Sequence, residues 1–474
     1  MIDALKPYAE YKESGVPWLG KIPKHWQALP NRTLFAEVKD RNHPNEPLLS
    51  VTIGKGIIRQ SDLLANSSKK DSSNEDKAKY KLVQPRDIAY NKMRAWQGAV
   101  GVSNYRGIVS PAYIVIRPRG EQNPDYFHYL LRTPAFAKEA ERWSYGISSD
   151  QWSLRAEDFK QIYCSLPPKE EQDCIVKFIA HKDRRINRFI HDKRRLIELL
   201  NEQKQVTTHR AVTCGLDPNV RLKPSGIEWL GDVPEQWEVR QLKQLLLRMD
   251  YGTSENLAHE GLIRVLTMGH IQDGQIVLPE KGSLSSIPSE LVLDHNDLLF
   301  NRTNSPELVG KVGIFLGSSS EQVSFASYLV RLRVEQEHDP RWLNYLLNSN
   351  GFWNYAKSQA LISLHQANLN STRYGRMLLP LPPKQQQTEI SDYLNEQTEQ
   401  IERSIVITRH EIDLLREYRT RLISDVVTGK LDVRGVVIPA MDVAETLEDI
   451  DTDEDTDTEA EDLIESEEVT DADE

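Results

Sequence analysis

The sequence contains little cysteine and lacks long apolar runs. Its 474 residues include three cysteines, Cys164, Cys174 and Cys214, which form no CxxC or Cys/His metal-binding pattern. Because the number of cysteines is small and odd, we expect a reducing, cytoplasmic compartment and no metal site. No apolar stretch approaches the ~18–20 residues that span a bilayer, so we expect no membrane segment.

Catalytic motifs are also missing. There is no GxxxxGK[ST] phosphate-binding loop, no HExxH, no GxSxG and no Asn/Asp-Pro-Pro-Tyr/Phe motif of the amino-methyltransferases. Without these signatures, the sequence predicts no catalytic residue and no cofactor in this chain. We expect a protein that binds a target, with the chemistry carried out by other subunits.

Negative charge is concentrated at one end of the chain. The formal net charge is −12, but residues 442–474 hold eighteen Asp and Glu and no Lys or Arg, so residues 1–441 carry +6. A mildly basic body fits a nucleic-acid binder, although charge alone is a weak indication. The acidic end has almost no aromatic residues and is predicted to be a disordered tail over 436–474.

The sequence does contain an internal repeat. Residues 11–26, YKESGVPWLGKIPKHW, and residues 222–237, LKPSGIEWLGDVPEQW, share eight of sixteen positions. LPPKEEQ at 166–172 returns as LPPKQQQ at 381–387. Since the order and the spacing of these motifs are kept, the repeat predicts two full modules in tandem.

Each module has the pattern of a mixed α/β domain followed by a long helix. Runs such as PLLSVTI, SPAYIVIRP and ASYLVRLRV predict strands, and one helix is predicted over Pro124–Arg142. After each LPP motif, apolar residues recur in heptad-like steps and predict helices over 169–212 and 384–428. The apolar seam of the first long helix is predicted to include Phe189 and Leu196.

The predicted fold class is α/β (α+β), with two globular domains in tandem repeat. We expect two long antiparallel coiled-coil helices to separate them in a pseudo-two-fold arrangement. Each helix would span roughly 60 Å at ~1.5 Å per residue, too long for burial under one module, so its simplest partner is the other helix. The predicted segments are a module over 1–163 with its anchor at 11–26, a helix segment over 164–218, a module over 219–379 with its anchor at 222–237, a helix segment over 380–435, and the tail over 436–474.

The order of these motifs resembles the specificity subunit of type I restriction–modification enzymes. The resemblance covers residues 11–435 and rests on the two anchors, on LPPKEEQ and LPPKQQQ, and on TCGLDP and TGKLDV, which end the helices. NKMRAWQGAVGVS and DLLFNRTNSPELVGKVG also look like target-recognition segments of that family. The acidic tail departs from the family pattern.

The resemblance implies two target recognition domains, each of which reads one half of a split, asymmetric site on double-stranded DNA. It implies two methyltransferase subunits that use S-adenosylmethionine to methylate adenine at N6. It also implies two restriction subunits that use ATP and Mg²⁺. The whole complex would lie in the cytoplasm of a bacterium or an archaeon.

Residues that follow a predicted strand in each module are candidate DNA-reading residues. They are Lys92, Arg94, Trp96 and Gln97 after DIAY in the first module, and Arg302, Thr303 and Asn304 after DLLF in the second. Arg, Asn and Gln can make paired hydrogen bonds to base edges, and Lys and Arg contact phosphates. Asn91 and Asn301 precede them at the same repeat position, where a structural role and a base contact are equally compatible with the sequence.

Two polar loops at similar depth in the repeat supply further candidates. Ser148, Ser149 and Gln151 lie in the loop 144–152, and His365 and Gln366 lie in the loop 360–368. Lys69 and Lys70 lie in a Ser-rich stretch and are candidate phosphate contacts.

Two other interpretations stay open at this point. A structural scaffold that binds proteins would show no salt-dependent affinity for DNA. A self-contained nuclease or methyltransferase would turn over alone with a metal or S-adenosylmethionine. The acidic tail is compatible with a solubilising role and with covering a basic, DNA-facing surface.

Overall fold

The computed structural model of the chain describes residues 5–64, 77–146, 152–257, 261–318, 321–363 and 366–438. These residues belong to two units: one combines residues 1–193 with residues 410–474, and the other is residues 194–409. The first unit therefore contains residues from both ends of the chain, whereas the second is one continuous segment.

The first unit is built from short strands and small helices that precede a long helix. Its strands are β1 (Tyr11–Glu13), β2 (Lys21–Pro23), β3 (Gln27–Pro30), β4 (Phe35–Val38), β5 (Leu49–Thr52), β6 (Gly56–Arg59), β7 (Lys81–Val83), β8 (Ile88–Asn91), β9 (Val100–Val102), β10 (Gly107–Val109), β11 (Tyr113–Pro118) and β12 (Tyr163–Leu166). Its helices are α1 (Asn31–Leu34), α2 (Gln60–Leu64), α3 (Pro124–Leu131), α4 (Pro134–Arg142) and α5 (Ala156–Phe159), with 3₁₀ turns at Lys77–Lys79 and Ala95–Gln97. The long helix α6 runs over Lys169–Cys214.

The single helix predicted over Pro124–Arg142 is wrong, because the structure has two helices there. Thr133 lies between α3 and α4, and its side chain accepts a hydrogen bond from the amide of Phe136 at 3.2 Å. Pro134 cannot donate a helical hydrogen bond and disfavours a helical conformation at the residue before it. A new helix therefore starts at Pro134, with Thr133 as its N-cap.

The second unit repeats this organisation and ends at Arg409, partway along a second long helix. Its strands are β13 (Leu222–Pro224), β14 (Asp232–Pro234), β15 (Glu238–Gln241), β16 (Leu246–Tyr251), β17 (Arg264–Leu266), β18 (Ile271–Gln272), β19 (Gln275–Ile276), β20 (Leu298–Asn301), β21 (Thr303–Asn304), β22 (Val312–Ile314), β23 (Val323–Phe325), β24 (Leu329–Val334), β25 (Leu361–Ser363), β26 (Gln366–Asn368) and β27 (Leu378–Leu381). Its helices are α7 (Pro340–Asn348), α8 (Asn350–Ser358) and α9 (Ser371–Gly375), with 3₁₀ turns at Leu242–Leu245, Met268–His270 and Ser289–Leu291. The helix α10 runs over Lys384–Val427.

A central antiparallel sheet recurs in the two units. Its order is β4-β11-β8-β9 in the first unit, and the corresponding strands β16-β24-β20-β22 form the main part of a six-stranded sheet in the second. A bidentate ion pair repeats as well: Arg117 contacts Asp87 at 2.6 and 2.9 Å, and Arg333 contacts Asp297 at 2.8 and 2.6 Å. Because both aspartates are buried, these charge-assisted bonds offset the cost of their burial.

Each anchor docks through a buried tryptophan. Trp26 and Trp237 are at most 1% exposed. The indole of Trp26 donates to Glu171 at 3.0 Å, and that of Trp237 donates to Gln386 at 2.8 Å, so each bonds the start of a long helix. The aromatic rings supply large buried apolar surfaces, and the N–H groups find the partners that buried indoles need.

The glutamine that ends each LPPKxxQ motif joins a long helix to its module. Gln172 accepts a hydrogen bond from the amide of Asn123 at 2.9 Å and donates to Pro167. Gln387 accepts from the amide of Asp339 at 2.8 Å and donates to Pro382. Since Asn123 and Asp339 cap α3 and α7, each glutamine connects two helix starts.

The long helices contact each other in antiparallel orientation within each unit. In the first unit, Arg419 forms a bidentate pair with Asp183, and Lys193 contacts Glu411 at 2.7 Å. In the second, Lys204 contacts Glu402 at 2.6 Å. In these contacting pairs, the residue number on α10 falls as the residue number on α6 rises, so the helices are antiparallel. The predicted fold class, two tandem mixed modules with long paired helices, is confirmed.

The predicted seam of α6 is wrong at two positions. Phe189 and Leu196 are 50% and 41% exposed, whereas Ile190 is 7% exposed. Two adjacent apolar residues, Phe189 and Ile190, point to different faces of a helix, and local spacing did not indicate which face meets α10. The seam passes through Ile186, Ile190 and Lys193 instead.

Residues 6–11 and residues 430–432 are in contact within the first unit. The amide of Asp432 donates to the carbonyl oxygen of Lys6 at 2.8 Å, and the hydroxyl group of Tyr11 donates to the carbonyl oxygen of Lys430 at 3.1 Å. Gly429, with φ +80°, packs against Pro23 and Trp26, where a Cβ atom would lie within 3.0 Å of both rings. The C-terminal end of α10 is thus held by the N-terminal anchor.

Candidate DNA-reading sites

The first site lies where β8 ends in the first unit. Asn91 is buried, and its side chain accepts a hydrogen bond from the amide of Met93 at 2.9 Å, so this asparagine shapes the turn. Lys92 and Arg94 are half-buried, and Gln97 is exposed. Gly98 ends the turn at φ 92°, a conformation that favours glycine.

Trp96 links this turn to the polar loop that the sequence predicted separately. Its indole donates to Met93 at 2.8 Å, and its ring meets Trp152 edge-to-face at 5.5 Å. The amide of Leu154 donates to the carbonyl oxygen of Lys92 at 2.8 Å. The structure therefore brings the segment 92–97 and the end of the loop 144–152 together on one surface of the unit.

The second site lies at the corresponding strand end in the second unit. The guanidinium of Arg302 lies over the ring of Tyr251, 5.1 Å from its centroid, and donates to the side chain of Asn368 at 3.2 Å. Its Nε has no hydrogen-bond partner among the described residues. The stacking and the hydrogen bond hold the guanidinium in one orientation.

Thr303 and Asn304 are buried, so they stand behind this surface. They form β21, which pairs with β26, and β26 pairs with β25 in a hairpin. Asn304 accepts a hydrogen bond from the amide of Ser305 at 2.8 Å, and Thr303 accepts one from Asn368 at 3.1 Å. Gln366, at the start of β26, is exposed.

The two sites are equivalent in the repeat. The amide of Leu369 donates to the carbonyl oxygen of Arg302 at 2.7 Å, in the same way that Leu154 bonds Lys92. Asn301 is buried like Asn91, although its side-chain amide donates to the carbonyl oxygen of Met268. The backbone frame is thus shared, while the side chains that project from it differ.

Several predicted contact residues lie outside the described residues. They are Lys69, Lys70, Ser148, Ser149, Gln151 and His365. All of the proposed base and phosphate contacts, including the described ones, stay predictions.

A cationic cluster beside the second site was missed from the sequence. Lys311 and Lys357 lie 5.3 and 4.2 Å from the ring centroid of Trp353, whose indole donates to Val309. Tyr251 was missed as well, because it lies far from Arg302 in the sequence. The short Gly-Lys in VGKVG was a signal for Lys311, but no local pattern indicated its contact with Trp353.

Burial lowers the pKa of Lys81 and of His128 in the first unit. Lys81 donates to the carbonyl oxygens of Pro111 and Tyr113, and burial together with nearby Arg41 lowers its pKa to about 8. Burial, aided by Arg132, lowers the pKa of His128 to about 3, so this imidazole is neutral at pH 7. Its Nδ1 accepts a hydrogen bond from the amide of Val102 at 3.3 Å.

Neither a metal cluster nor a membrane helix occurs in the part of the chain that the structure describes. No group of three or more His, Cys, Asp or Glu side chains there is arranged to hold a metal ion. No helix among the same residues is both long enough and apolar enough to cross a bilayer.

Comparison with known proteins points to one family. The family profile described as "Type I restriction modification DNA specificity domain" matches residues 31–199. Two relatives come from Methanocaldococcus jannaschii. The putative type I restriction enzyme MjaX specificity subunit is 29% identical over 175 residues, which cover 35% of this chain and 40% of that protein. The type I restriction enzyme MjaVIII specificity subunit is 25% identical over 342 residues, which cover 70% of this chain and 76% of that protein.

The fold also matches solved structures. A chain from a structural study of complex assembly and conformational transition of the type I R-M system aligns with a TM-score of 0.64. The alignment covers 86% of this chain and 99% of that chain at 15% identity, so it supports the fold. The matched region spans less than half of the MjaX relative but about three quarters of the MjaVIII relative.

Proposed function

We propose that this chain, which belongs to the DNA specificity subunits of type I restriction–modification systems, recognises a bipartite and asymmetric DNA sequence without catalysing a reaction. The observation that carries the proposal is the pair of equivalent sites at Lys92 and Arg302. One backbone frame with two different sets of side chains suits the reading of two different half-sites.

The chemistry of the sites supports DNA as the target. Arg302 and Gln366 in the second unit, and Arg94 and Gln97 in the first, carry the planar groups that bond base edges in pairs. Lys92, Lys69 and Lys70 suit phosphate contacts, which position a protein on the duplex. Thr303 and Asn304, which are buried, would support Arg302 from behind.

The loop residues Ser148, Ser149, Gln151 and His365 complete the proposed contact set. Hydroxyl and amide groups of this kind bond either bases or phosphates.

The exposed apolar faces of the long helices support a protein partner. In the second unit, Leu196, Leu199 and Val206 on α6 are 41–62% exposed, as are Val406 and Ile407 on α10 at 60–64%. Such stripes indicate interaction surfaces. We assign them to two methyltransferase subunits, which would bind S-adenosylmethionine and methylate adenine at N6. Two restriction subunits that use ATP and Mg²⁺ would complete the assembly in the cytoplasm.

The test is to co-express the chain with its methyltransferase and to map N6-methyladenine by single-molecule sequencing. We expect methylation at one split, asymmetric motif. Replacing residues 31–163 with the matching segment of another specificity subunit should change one half of the motif and leave the other half unchanged.

An intact complex that binds S-adenosylmethionine but methylates no motif would contradict the proposal. Salt-independent association with partner proteins, without affinity for DNA, would favour the scaffold interpretation instead.

A further inference from the structure

We propose that the hairpin strands β25 and β26 enter the major groove of DNA, where Leu361 and Ile362 contact the C5 methyl group of thymine. This inference rests on the proposed function and deepens it, because it names the base feature that the second unit reads.

Strand β25 is uncovered on both of its faces. Successive side chains of a strand point to opposite faces, and Leu361 and Ile362 are each 70% exposed. The strand also lies at the edge of its sheet, whose order is β21-β26-β25. Exposed apolar edge strands promote aggregation, and proteins normally avoid them. The exposure of β25 therefore indicates that this strand binds a partner molecule.

The base of the hairpin is firmly held. Ala367 is fully buried in the core of the second unit, and it pairs with both Asn304 and Ile362. Asn368 bonds Arg302 and Thr303. The paired strands form a two-stranded ribbon with an exposed outer strand, and the major groove of B-form DNA admits a two-stranded ribbon.

The charge around the hairpin favours DNA over a protein or a lipid surface. From residue 340 to residue 388 there is no Asp or Glu, while there are five Lys or Arg. Arg373 donates to the carbonyl oxygen of Gln359 at 3.1 Å, close to the start of β25, and Arg302 donates to Asn368 at the end of β26. An apolar edge with two arginines at its base suits a duplex, where phosphates flank the thymine methyl groups.

The side chains on the hairpin fit an A·T pair. Gln366 is exposed, and it pairs across the hairpin with Ser363. A glutamine amide bonds the N6 and N7 atoms of adenine, and an apolar side chain contacts the methyl group of thymine. The half-site read by the second unit should therefore contain at least one A·T pair in contact with this hairpin.

The experiment uses the complex of the full chain with its methyltransferase and the duplex motif found by mapping. Each thymine of the second unit's half-site is replaced in turn by deoxyuridine, which lacks only the C5 methyl group. We expect one or two replacements to weaken binding about fourfold each, the effect of burying one methyl group. Deoxyuridine in the half-site read by the first unit should leave the effects of the hairpin variants described below unchanged.

Leu361→Ser combined with Ile362→Ser should weaken binding to the thymine duplex and abolish its preference over the deoxyuridine duplex. Leu247→Ser, at another exposed leucine of the same unit, is the matched control and should keep that preference. Gln366→Ala, tested as a separate variant, should keep the preference for thymine over deoxyuridine. It should discriminate less against duplexes in which the contacted adenine is replaced by another base.

Equal binding of the thymine and deoxyuridine duplexes by the unaltered complex would overturn the inference and leave the proposed function standing. A double variant that loses the methyltransferase but keeps its preference for thymine over deoxyuridine would also overturn the inference, because β25 would then contact the partner protein. The proposed function would stand in that case as well. A complex that selects no motif at all would instead contradict the proposed function.

Discussion

Lys92 and Arg302 occupy one position in the repeat but differ in the bonds they can make. A lysine ammonium group is a point charge on a flexible stem, whereas an arginine guanidinium is a planar fork that matches the edge of guanine. Arg302 is also held by Tyr251 and Asn368. The second unit is therefore expected to depend more strongly on this position for base selection.

Substitution by glutamine tests this difference. We predict that Arg302→Gln lowers affinity for the mapped motif by about ten- to a hundredfold and relaxes one position of the second half-site. Lys92→Gln should weaken binding evenly across sequences and reduce its salt dependence, as loss of a phosphate contact does. Competition binding against single-base variants of the motif measures both effects, and a loss of specificity in Lys92→Gln would contradict the assignment.

His128 makes the first unit sensitive to acid. Its pKa is lowered to about 3 by burial and by Arg132. The unfolded chain takes up a proton near the ordinary histidine pKa of ~6.5, while the folded protein does not. Stability from this group is thus present above pH ~6.5 and is lost as pH falls toward ~3, by up to ~1.4 kcal/mol per pH unit.

His128→Asn should remove that part of the acid sensitivity. The Asn side-chain oxygen can still accept the hydrogen bond of Val102, but it does not titrate in this range. We predict a smaller loss of the free energy of unfolding between about pH 7 and about pH 5, measured by urea denaturation. The exposed His410→Asn is the control, and equal slopes for His128→Asn and the original protein would refute the role of His128.

At the scale of elements, the two glutamine junctions are equivalent supports. We predict that Gln172→Ala and Gln387→Ala each lower the free energy of unfolding by ~1–3 kcal/mol, because the amides of Asn123 and Asp339 then lack their acceptor. The exposed Gln385→Ala should change it by less than ~0.5 kcal/mol. Chemical denaturation of the purified chain distinguishes these results, and equal effects at positions 385 and 387 would remove the structural role of the junction.

The adjacent residues Phe189 and Ile190 test which face of α6 meets α10. We predict that Ile190→Ser lowers the free energy of unfolding by ~2–4 kcal/mol, since it removes a buried side chain from the seam. Phe189→Ser should lower it by less than ~1 kcal/mol in the isolated chain. Thermal unfolding of both variants gives the comparison, and the reverse order would restore the seam predicted from the heptad pattern.

The fold could be predicted largely from the repeat. Two copies of the anchor and of LPPKxxQ indicated two equivalent modules, and the buried Trp26 and Trp237 fill matching positions. The orientation of α6 could not be predicted, because both Phe189 and Ile190 are apolar and only packing distinguishes them. Likewise, Trp96 and the loop 144–152 were identified separately, and their contact through Trp152 depends on long-range folding.

At the scale of the whole molecule, charge is divided between a basic body and an acidic end. We predict that truncation after Ala440 raises DNA affinity at low salt, because eighteen carboxylates no longer compete with phosphates for the same cations. The difference should vanish at high salt, where charges are screened. Fluorescence binding titrations with a control chain whose tail carries Asn and Gln in place of Asp and Glu test the charge. Unchanged affinity would leave the tail a solubilising role.

The first unit is assembled from two stretches of chain that leave the ribosome at different times. Its core joins Ile175, Phe178 and Ile179 to Leu422 and Val426. At a synthesis rate of ~5–20 residues per second, the end of α10 is made on the order of 12–50 s after the start of α6. The second unit is complete sooner, at Arg409. A premature stop codon within the last turns of α10 would therefore yield a truncated protein in which the second unit folds while the first unit lacks part of its core.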